Sequence, residues 1–428
     1  MTSAIRHLYR AGMTPFTWAL VLWLCGATSA AADDLVLRWN DIGARTANAT
    51  NPFLQARHGS VVQLAVFEAV NAITGEYESY LPSPPVAAPG ASVDAAVVAA
   101  AHHVLETYFA TAGAALDIER DADLAAIPDG QAKTDGIAIG LAAANAMITL
   151  RASDGALPLT TLVPTSTAPG DYQLTTGCAA GVLYNWKDVT PFAIASGWDF
   201  LLSSPPYLGS NAYRKDYQEV ASMGAQSSPL RSNERSEVAR LYAASSPTFL
   251  LSMATRQIAV ARGASLAENA RALALLYMAV NDALVASMLN KYHYNHWRPE
   301  TGIHSGDLDG DHRTVEDAAF TPFIGTPCFP SYPSNHASGS GAGLEAMRRL
   351  FGAAGHDITL TNTVPALGAL PATTITRKYS RLDAIADDVD DARVLGGIHW
   401  RYDQVTGNAL GRAVATEVVK NRLAPATP

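Results

Sequence analysis

The sequence predicts an all-α protein with long ordered loops. Ten alanine-rich segments carry apolar residues three and four positions apart, which is the period of a helix with one buried face. Hydrophobic residues make up 48% of the 428-residue chain, enough for a substantial core, and no repeat or heptad array is present. The ten predicted helices cover residues 56–74, 92–113, 132–152, 212–225, 233–246, 254–263, 265–290, 338–353, 381–395 and 404–421.

The first 32 residues have the pattern of an export signal. Arg6 and Arg10 form a basic start, an apolar run extends over residues 16–25, and small residues fill 27–32. The apolar run is short for a membrane span, which needs about 20 residues. We therefore expect an exported protein, periplasmic or secreted, with an uncleaved anchor as the less favoured alternative.

The charge of the processed chain bears on its partners. Removing residues 1–32 takes away two arginines and no acid, so the net charge of −9 becomes −11. Nucleic-acid binding needs clustered Lys and Arg, so we expect none. Because no later segment has about 18 uninterrupted apolar residues, we do not expect an integral membrane protein after processing. The oligomeric state is left open.

Two parts of the processed chain are predicted to pack as a single structural unit. Residues 33–235 form a helical part with a long irregular stretch at 153–211, and residues 236–428 form a second helical part with another at 299–333. The aromatics and prolines of these stretches favour ordered loops that cover a site. Cys178 and Cys328 either pair in an oxidising compartment or remain two buried thiols, and the sequence does not decide between them.

Three short segments supply a set of hydrogen-bond donors. They are KYHYNHWRP at 291–299, YPSNHASG at 332–339 and RVLGGIHWRYD at 393–403. Arginine forks bind the oxygens of tetrahedral anions in pairs, and lysine adds a point charge. The set therefore predicts a site for a small oxyanion such as phosphate or vanadate. Its candidate ligands are Lys291, Arg298, Ser334, His336, Arg393 and His399.

The local spacing gives these residues provisional positions. Lys291 and Arg298 are seven apart, which on a regular helix places both on one side. Ser334 precedes a run of small residues that we interpret as a loop entering a helix, where free N–H groups attract an anion. His399 follows Gly396 and Gly397, a predicted helix end.

These three segments resemble the tripartite motif of the vanadium-dependent haloperoxidase and type 2 phosphatidic acid phosphatase superfamily. The pattern K-x6-RP matches Lys291 with Arg298, PSGH matches residues 333–336, and R-x5-H-x3-D matches Arg393, His399 and Asp403. Asn335 stands where the family usually has Gly, and Ala392 where it often has Ser. Segments at 38–40, 66–73 and 186–192 are similar to the bacterial haloperoxidase branch. The resemblance implies helical bundles with the anion site in the C-terminal half.

The resemblance also implies roles. His399 would be the ligand to vanadium, or in the phosphatase branch the nucleophile that attacks phosphorus. His336 would act as the acid–base group, for which a pKa near 6.5 is suitable. The oxygens of vanadate or phosphate would be held by Lys291, Arg298, Ser334, Asn335 and Arg393. Lys291 would also be catalytic, because a cation beside bound peroxide makes one of its oxygens more electrophilic.

Four further residues are candidates for the surroundings of this site. Asp403 and Asp282 would orient an Arg or His from outside the anion site, although each could be a surface carboxylate. Phe329 and Met288 would line a halide pocket, or simply pack in the core. Phe329 matches an aromatic that chloride-oxidising relatives carry, whereas Met288 replaces a Trp common in the family. Because of that missing Trp, bromide or iodide is expected rather than chloride.

Residues 307–311 (DLDGD) begin like a calcium loop but lack its downstream Glu. A polar turn is the favoured interpretation there, and calcium the less favoured one.

Three functions remain as hypotheses. The leading one is an exported vanadate-dependent haloperoxidase, an oxidoreductase whose partners are hydrogen peroxide, a halide and a small organic acceptor. The second is a secreted acid phosphatase that works through a phosphohistidine at position 399. The third is an oxyanion-binding protein without catalysis.

Overall fold

Helices form most of the chain in the computed structural model, which describes residues 34–426. The N-terminal helices are α1 (Leu35–Ala47), α2 (Pro52–Thr74), α3 (Val93–Tyr108), α4 (Gly113–Ala126) and α5 (Gln131–Leu150). After a long loop come α6 (Asn211–Met223), α7 (Asn233–Ala243), α8 (Pro247–Arg262), α9 (Leu266–Tyr294) and α10 (Pro299–His304). The last three are α11 (Asn335–Phe351), α12 (Leu382–Leu395) and α13 (Arg401–Asn421). The predicted mostly helical architecture is confirmed.

Within residues 34–426, two small antiparallel sheets accompany the helices, and neither is part of the all-α prediction. β1 (Thr161–Leu162) pairs with β2 (Gly181–Val182) inside the long loop. β3 (Ala354–Val364) and β4 (Thr373–Arg381) form a hairpin between α11 and α12. Its side chains alternate between buried and exposed, with Ile358, Leu360 and Val364 facing the core. This two-residue period is that of a half-buried strand, which a search for helical periods misses.

Capping side chains determine where several helices begin. Ser246 accepts a hydrogen bond from the backbone N–H of Phe249, so α8 starts at Pro247, earlier than predicted. Ser334 caps α11 through Ala337 in the same way, and Ser265 forms a capping box with Glu268 at the start of α9. Each cap satisfies N–H groups that the first turn of a helix leaves without partners.

Helix α9 runs through the centre of the core. It packs against α2, α8, α11 and α13, and its residues from Leu273 to Lys291 are buried. It is also the one helix among residues 34–426 that is long and apolar enough to cross a bilayer, and its whole apolar window is buried inside the protein. An apolar surface on all sides is what a central core helix requires.

Glycines bring α11 and α13 into close contact. A Cβ placed on Gly411 would lie 2.0 Å from the carbonyl oxygen of Ser338, and one on Gly407 would lie 2.8 Å from that of Ser334. The backbones can approach this closely only without side chains between them. As a result the N-terminus of α11 and the first turn of α13 meet, and the Ser334 N–H donates to the Asp403 carbonyl at 2.9 Å.

The long stretch between α5 and α6 is tied to the helices by buried carboxylates. Asp282 of α9 accepts hydrogen bonds from the backbone N–H groups of Phe192, Ala193 and Ile194 at 2.7, 2.7 and 3.1 Å. Asp154 accepts from Arg57 at 2.8 Å. The stretch is therefore an ordered loop.

Within residues 34–426, the two predicted parts of the chain lie in one compact unit that begins at Leu35. The predicted division between 235 and 236 falls within α7. The predicted signal, residues 1–32, lies outside the described residues.

Candidate active site

The three donor segments meet where helices α9 and α12 end and where α10, α11 and α13 begin. Lys291 lies in the last turn of α9, Ser334 caps α11, and Arg393 lies in the last turn of α12. His399 lies in the short loop between α12 and α13, after Gly397 in a left-handed conformation (φ 78°). We call Lys291, Arg298, Ser334, Arg393 and His399 the oxyanion cup.

The helical relationship predicted for Lys291 and Arg298 is wrong. Helix α9 ends at Tyr294, and Asn295 takes the left-handed conformation (φ 46°) that closes it. Arg298 then caps the separate helix α10, whose first residue is Pro299. The two cations still share the cup because the chain turns back between them. Asn tolerates positive φ and Pro fits a helix start, so both breaks have a local cause.

The partners of His399 determine which of its ring nitrogens carries the proton. An Arg298 Nη1 lies 3.0 Å from His399 Nε2, and a guanidinium can only donate, so Nε2 is the acceptor. Nδ1 therefore carries the proton and donates it to Asp403 Oδ2 at 2.8 Å. Ser331 Oγ donates to the same carboxylate oxygen at 2.6 Å. Burial, followed by the charges of Arg298 and Lys291, lowers the pKa of His399 well below its usual value. The ring is a neutral imidazole with its lone pair directed to the cup.

Three buried cations, Lys291, Arg298 and Arg393, lie around this imidazole. Lys291 Nζ donates to the carbonyls of Pro330 and Ser331 at 2.8 and 2.7 Å. Arg298 donates through Nε to the Phe329 carbonyl and through Nη1 to the Ile398 carbonyl, both at 2.8 Å.

Two N–H-bearing atoms of these arginines have no partner. Arg298 Nη2 and Arg393 Nε are buried without a hydrogen bond within the described chain. Desolvation lowers the pKa of Arg298 to about 10 and that of Arg393 to about 9, and it lowers the pKa of Lys291 strongly. Buried donors of this kind are costly unless an acceptor meets them. An oxyanion would supply both the acceptors and the negative charge, so the donor set fits a tetrahedral anion such as vanadate or phosphate.

The first turn of α11 contributes three neighbouring residues. Ser334 Oγ accepts from the Ala337 N–H at 3.3 Å and is fully buried. Asn335 accepts from Ser287 Oγ at 2.6 Å, and its amide nitrogen lies 3.4 Å from Met288 Sδ. His336 faces the cavity described next, and burial and the charge of Arg393 lower its pKa well below the usual value. His336 is therefore a neutral imidazole in the anion-free protein, and the negative charge of a bound oxyanion would raise its basicity.

A cavity of about 440 Å³ opens above the cup. His336, Arg393 and His399 lie at its floor together with Asn335, and the remaining walls are mainly apolar. Phe329 lines the cavity, and its ring lies 5.2 Å from Lys291 Nζ and 5.1 Å from Arg298 Cζ. Met288 is fully buried and is not among the lining residues.

The long loop secures one wall of this cavity. We call residues 170–182 the strap. The strap is held by a disulfide between Cys178 and Cys328, which settles the question that the sequence left open. The Val182 N–H donates to the Cys328 carbonyl at 2.7 Å, and the Thr176 N–H donates to Glu300 Oε1 at 2.9 Å. The strap is thus joined to the chain directly before residues 329–331, whose backbone carbonyls accept hydrogen bonds from Lys291 and Arg298.

Asp282 occupies a different position from the one predicted. Its carboxylate anchors the loop at Phe192, as described above, and does not orient an Arg or His of the cup. Ser331, which sequence reasoning missed, bonds the Asp403 carboxylate instead. Its only sequence signal is that it lies three residues before Ser334.

The polar turn at 307–311 is held by protein side chains. Asp311 accepts from Arg313 at 2.7 and 2.8 Å. Within residues 34–426, no group of three or more His, Cys, Asp or Glu side chains is placed to hold a metal ion.

Comparisons with known proteins agree with this geometry. Residues 271–425 match the family model of the VCPO second helical-bundle domain, a range that contains every member of the cup. The predicted resemblance to the vanadium-dependent haloperoxidases is confirmed. A search of curated protein sequences found no match.

Solved bacterial vanadium haloperoxidases share the fold over most of the chain. The first bacterial vanadium-dependent iodoperoxidase superposes with a TM-score of 0.75 at 21% identity, covering 92% of this chain and 97% of its own. The apo form of a bacterial vanadium-dependent chloroperoxidase gives 0.71 at 15% identity, covering 87% and 94%. A holo form gives 0.68 at 15% identity, covering 88% and 93%. At these identities the likeness is one of fold.

Proposed function

We propose that this protein is an exported vanadate-dependent haloperoxidase that oxidises a halide with hydrogen peroxide to hypohalous acid. The observation that carries the proposal is the oxyanion cup, where buried N–H donors without acceptors surround a neutral imidazole. The fold shared with bacterial vanadium iodoperoxidase and chloroperoxidase structures supports it.

Different residues of the cup would bind the oxygens and the metal atom of vanadate. Arg298 Nη2 and Arg393 Nε would donate to its oxygens, with Ser334 and the Asn335 N–H at the positive end of α11. His399 would be the ligand, through the Nε2 lone pair that Arg298 covers in the absence of an anion. Bound vanadate would supply a Lewis acid that activates peroxide at neutral pH.

The protein residues supply proton transfer and charge. His336 is neutral at the cavity floor, so it can take a proton from hydrogen peroxide as it enters. Asp403 and Ser331 keep the His399 proton on Nδ1, so that Nε2 stays available. Lys291 Nζ lies 5.2 Å from the ring of Phe329, a residue that lines the cavity, and beside a bound anion its ammonium would polarise a peroxide oxygen.

A preference for bromide or iodide over chloride is proposed from Met288, which stands where a Trp is common in the family and packs fully buried beside Asn335 without lining the cavity. Phe329, which does line the cavity, matches an aromatic of chloride-oxidising relatives, so the proposed preference rests on Met288 alone.

Reconstitution of the anion-free protein with vanadate tests the proposal. We expect bromide and iodide oxidation that depends on peroxide and is lost in His399→Ala. Activity of the wild type no higher than that of the variant would refute it. N-terminal sequencing of protein recovered from outside the cytoplasm tests the export step, for which we expect a new terminus near residue 33.

A second function, a secreted acid phosphatase, has support from the same imidazole. The neutral Nε2 of His399 could attack a phosphate ester, with His336 protonating the leaving group. The two functions separate in vanadate-free protein. Release of p-nitrophenol from p-nitrophenyl phosphate, lost in His399→Ala, would favour the phosphatase. Anion binding without either activity would leave the oxyanion-binding protein.

A further inference from the structure

We propose that the side chains of Asn335 and Met288 form a matched pair between α11 and α9, and that Asn335 is a positioning residue for His336. Both members of the pair depart from the family pattern, since Asn335 stands where Gly is usual and Met288 where Trp is common. The inference rests on the proposed haloperoxidase function, from which His336 takes its role as the acid–base group.

Asn335 lies on the face of α11 that packs against α9. Residues Asn335, Gly339 and Gly343 are four positions apart, so they lie on one side of the helix. A Cβ on Gly339 would lie 3.5 Å from Val280 of α9, and one on Gly343 would lie 3.1 Å from Leu276. The two helices approach closely along this face, and a side chain larger than glycine needs a matching gap on α9.

The carboxamide of Asn335 fills such a gap beside Ser287 and Met288. Ser287 Oγ donates to Asn335 Oδ1 at 2.6 Å, and Asn335 Nδ2 lies 3.4 Å from Met288 Sδ. A thioether can only accept a hydrogen bond, so the amide nitrogen faces Met288 and the amide oxygen meets the serine. All three residues are buried, Ser287 and Met288 completely. The Asn335 side chain therefore joins the first turn of α11 to α9.

The two departures from the family pattern compensate each other in size. The side chain of Trp is larger than that of Met by roughly the volume that a carboxamide side chain adds to Gly. Protein cores tolerate exchanges that keep the total volume, and they lose stability when one member grows alone. An indole at position 288 would need the space of the Asn335 carboxamide, and Gly at 335 beside Met288 would leave a cavity. Each residue therefore fits because of the other.

His336 lies in the helical turn that this pair holds. Asn335 and His336 are consecutive at the start of α11, and both line the cavity. The preceding residue, Ser334, is held by its N–H to the Asp403 carbonyl at 2.9 Å. The turn is thus attached to α13 through Ser334 and to α9 through Asn335. A catalytic group must be held within about 0.5 Å of its productive position, so a turn attached on one side alone would misplace His336.

A double-mutant cycle on phosphate binding tests the pair in vanadate-free protein. In calorimetric titration we expect Asn335→Gly to weaken phosphate binding at least about fivefold and Met288→Trp at least about tenfold. Independent effects would multiply to about fiftyfold, whereas the double variant should bind phosphate within about threefold of wild type. A double variant as weak as the product of the two single changes would overturn the proposal.

Met278→Trp is the matched control for a bulky side chain in the core. Met278 is also fully buried on α9, ten residues and about 15 Å before Met288. In urea unfolding, Asn335→Gly should restore stability to Met288→Trp, and it should add to the loss caused by Met278→Trp. Equal rescue of both Trp variants would overturn the pairing, because it would show a general loosening of the core.

Ser287→Ala provides a second cycle that holds even where Met288→Trp alone does not fold. It removes the hydrogen bond to Asn335 and adds no volume. We expect phosphate binding to weaken at least about threefold in the wild-type background and less than about 1.5-fold in Asn335→Gly. An equal effect in both backgrounds would overturn the role of the carboxamide.

Peroxide kinetics of the vanadate-loaded protein test the positioning of His336. At saturating vanadate and iodide, Asn335→Gly and Met288→Trp should each lose at least about tenfold in kcat/KM for hydrogen peroxide. The double variant should recover to within about threefold of wild type, and since vanadate is saturating, weaker loading does not explain the difference. Wild-type kcat/KM in both single variants would overturn the positioning role. If the wild type oxidises no halide, the haloperoxidase function fails, and the phosphate cycles still decide whether the pair holds the turn.

Discussion

Arg298→Lys isolates the hydrogen-bonding fork of the cup from its charge. Lysine keeps the positive charge and loses the planar arrangement of five donors. In the wild type, Nε and Nη1 bond the Phe329 and Ile398 carbonyls at 2.8 Å, and Nη2 is buried without a partner. The variant should therefore lose the donor that meets the anion while long-range attraction is retained.

The magnitude follows from the bonds that are lost. A hydrogen bond to a charged group contributes about 1.5–3 kcal/mol, which corresponds to roughly 10–150-fold in the dissociation constant for phosphate or vanadate. Stability should also fall. A single lysine ammonium cannot reach both the Phe329 and the Ile398 carbonyls as the guanidinium does. One buried acceptor left without a hydrogen bond costs about 1–3 kcal/mol.

Arg240→Lys is the matched control for this loss of stability. Arg240 is also buried, and its Nη2 donates to the carbonyls of Pro365 and Pro371, at a distance of 2.8 Å for the first. It is not one of the cup residues. Phosphate binding by calorimetry and urea unfolding should show both variants destabilised and only Arg298→Lys impaired in binding. Folded Arg298→Lys that binds phosphate within about threefold of wild type would refute the reasoning.

The remaining predictions concern stability and the strap. Gly411→Ala should destabilise the protein by about 1–3 kcal/mol in urea unfolding, because its Cβ would lie 2.0 Å from the Ser338 carbonyl oxygen; unchanged stability would contradict the close α11–α13 contact. His58, stacked on Tyr108 at 4.2 Å, has its pKa lowered to about 4, chiefly by burial. Above about pH 6.5 this His is neutral in both the folded and the unfolded chain; as pH falls towards 4 only the unfolded chain takes up the proton, so the free energy of unfolding falls by roughly 3 kcal/mol. His58→Phe should remove most of this fall, measured by urea unfolding at pH 7 and pH 4.5. An equal fall in the variant would count against the assignment to His58. The double change Cys178→Ser, Cys328→Ser should lower stability by about 2–5 kcal/mol and weaken phosphate binding, because Cys328 adjoins the carbonyls that receive Arg298 and Lys291; unchanged phosphate affinity would show that the strap does not position the cup.

The sequence predicts most helices because their signals are local. Apolar residues three and four apart and serine caps lie within the helices themselves, as at Ser246 and Ser265. Helix α4 was missed because few of its residues are buried, namely Gly113 and Leu116, and an exposed helix has a weak apolar period. The β3–β4 hairpin has a two-residue period and many threonines, a signal present in the sequence but different from the one sought.

The motif spacing predicts which side chains form the cup, and it does not predict what they bond. Lys291 and Arg298 are fixed by the carbonyls of residues 329–331 and 398, and backbone acceptors have no signature in side-chain identity. The path between these two cations depends on Asn295 taking a left-handed conformation, a choice that one residue makes within a long helical pattern. The disulfide joins positions 150 residues apart, which only the tertiary fold brings together.

Titration of vanadate into the anion-free protein, with iodide oxidation followed in the same samples, tests the central claim most directly. We predict that activity rises linearly and saturates at one vanadate per chain. We also predict that His399→Ala binds the anion more weakly and stays inactive at saturation. Activity that appears without vanadate, or tight binding of one vanadate that brings no halide oxidation, would contradict the account.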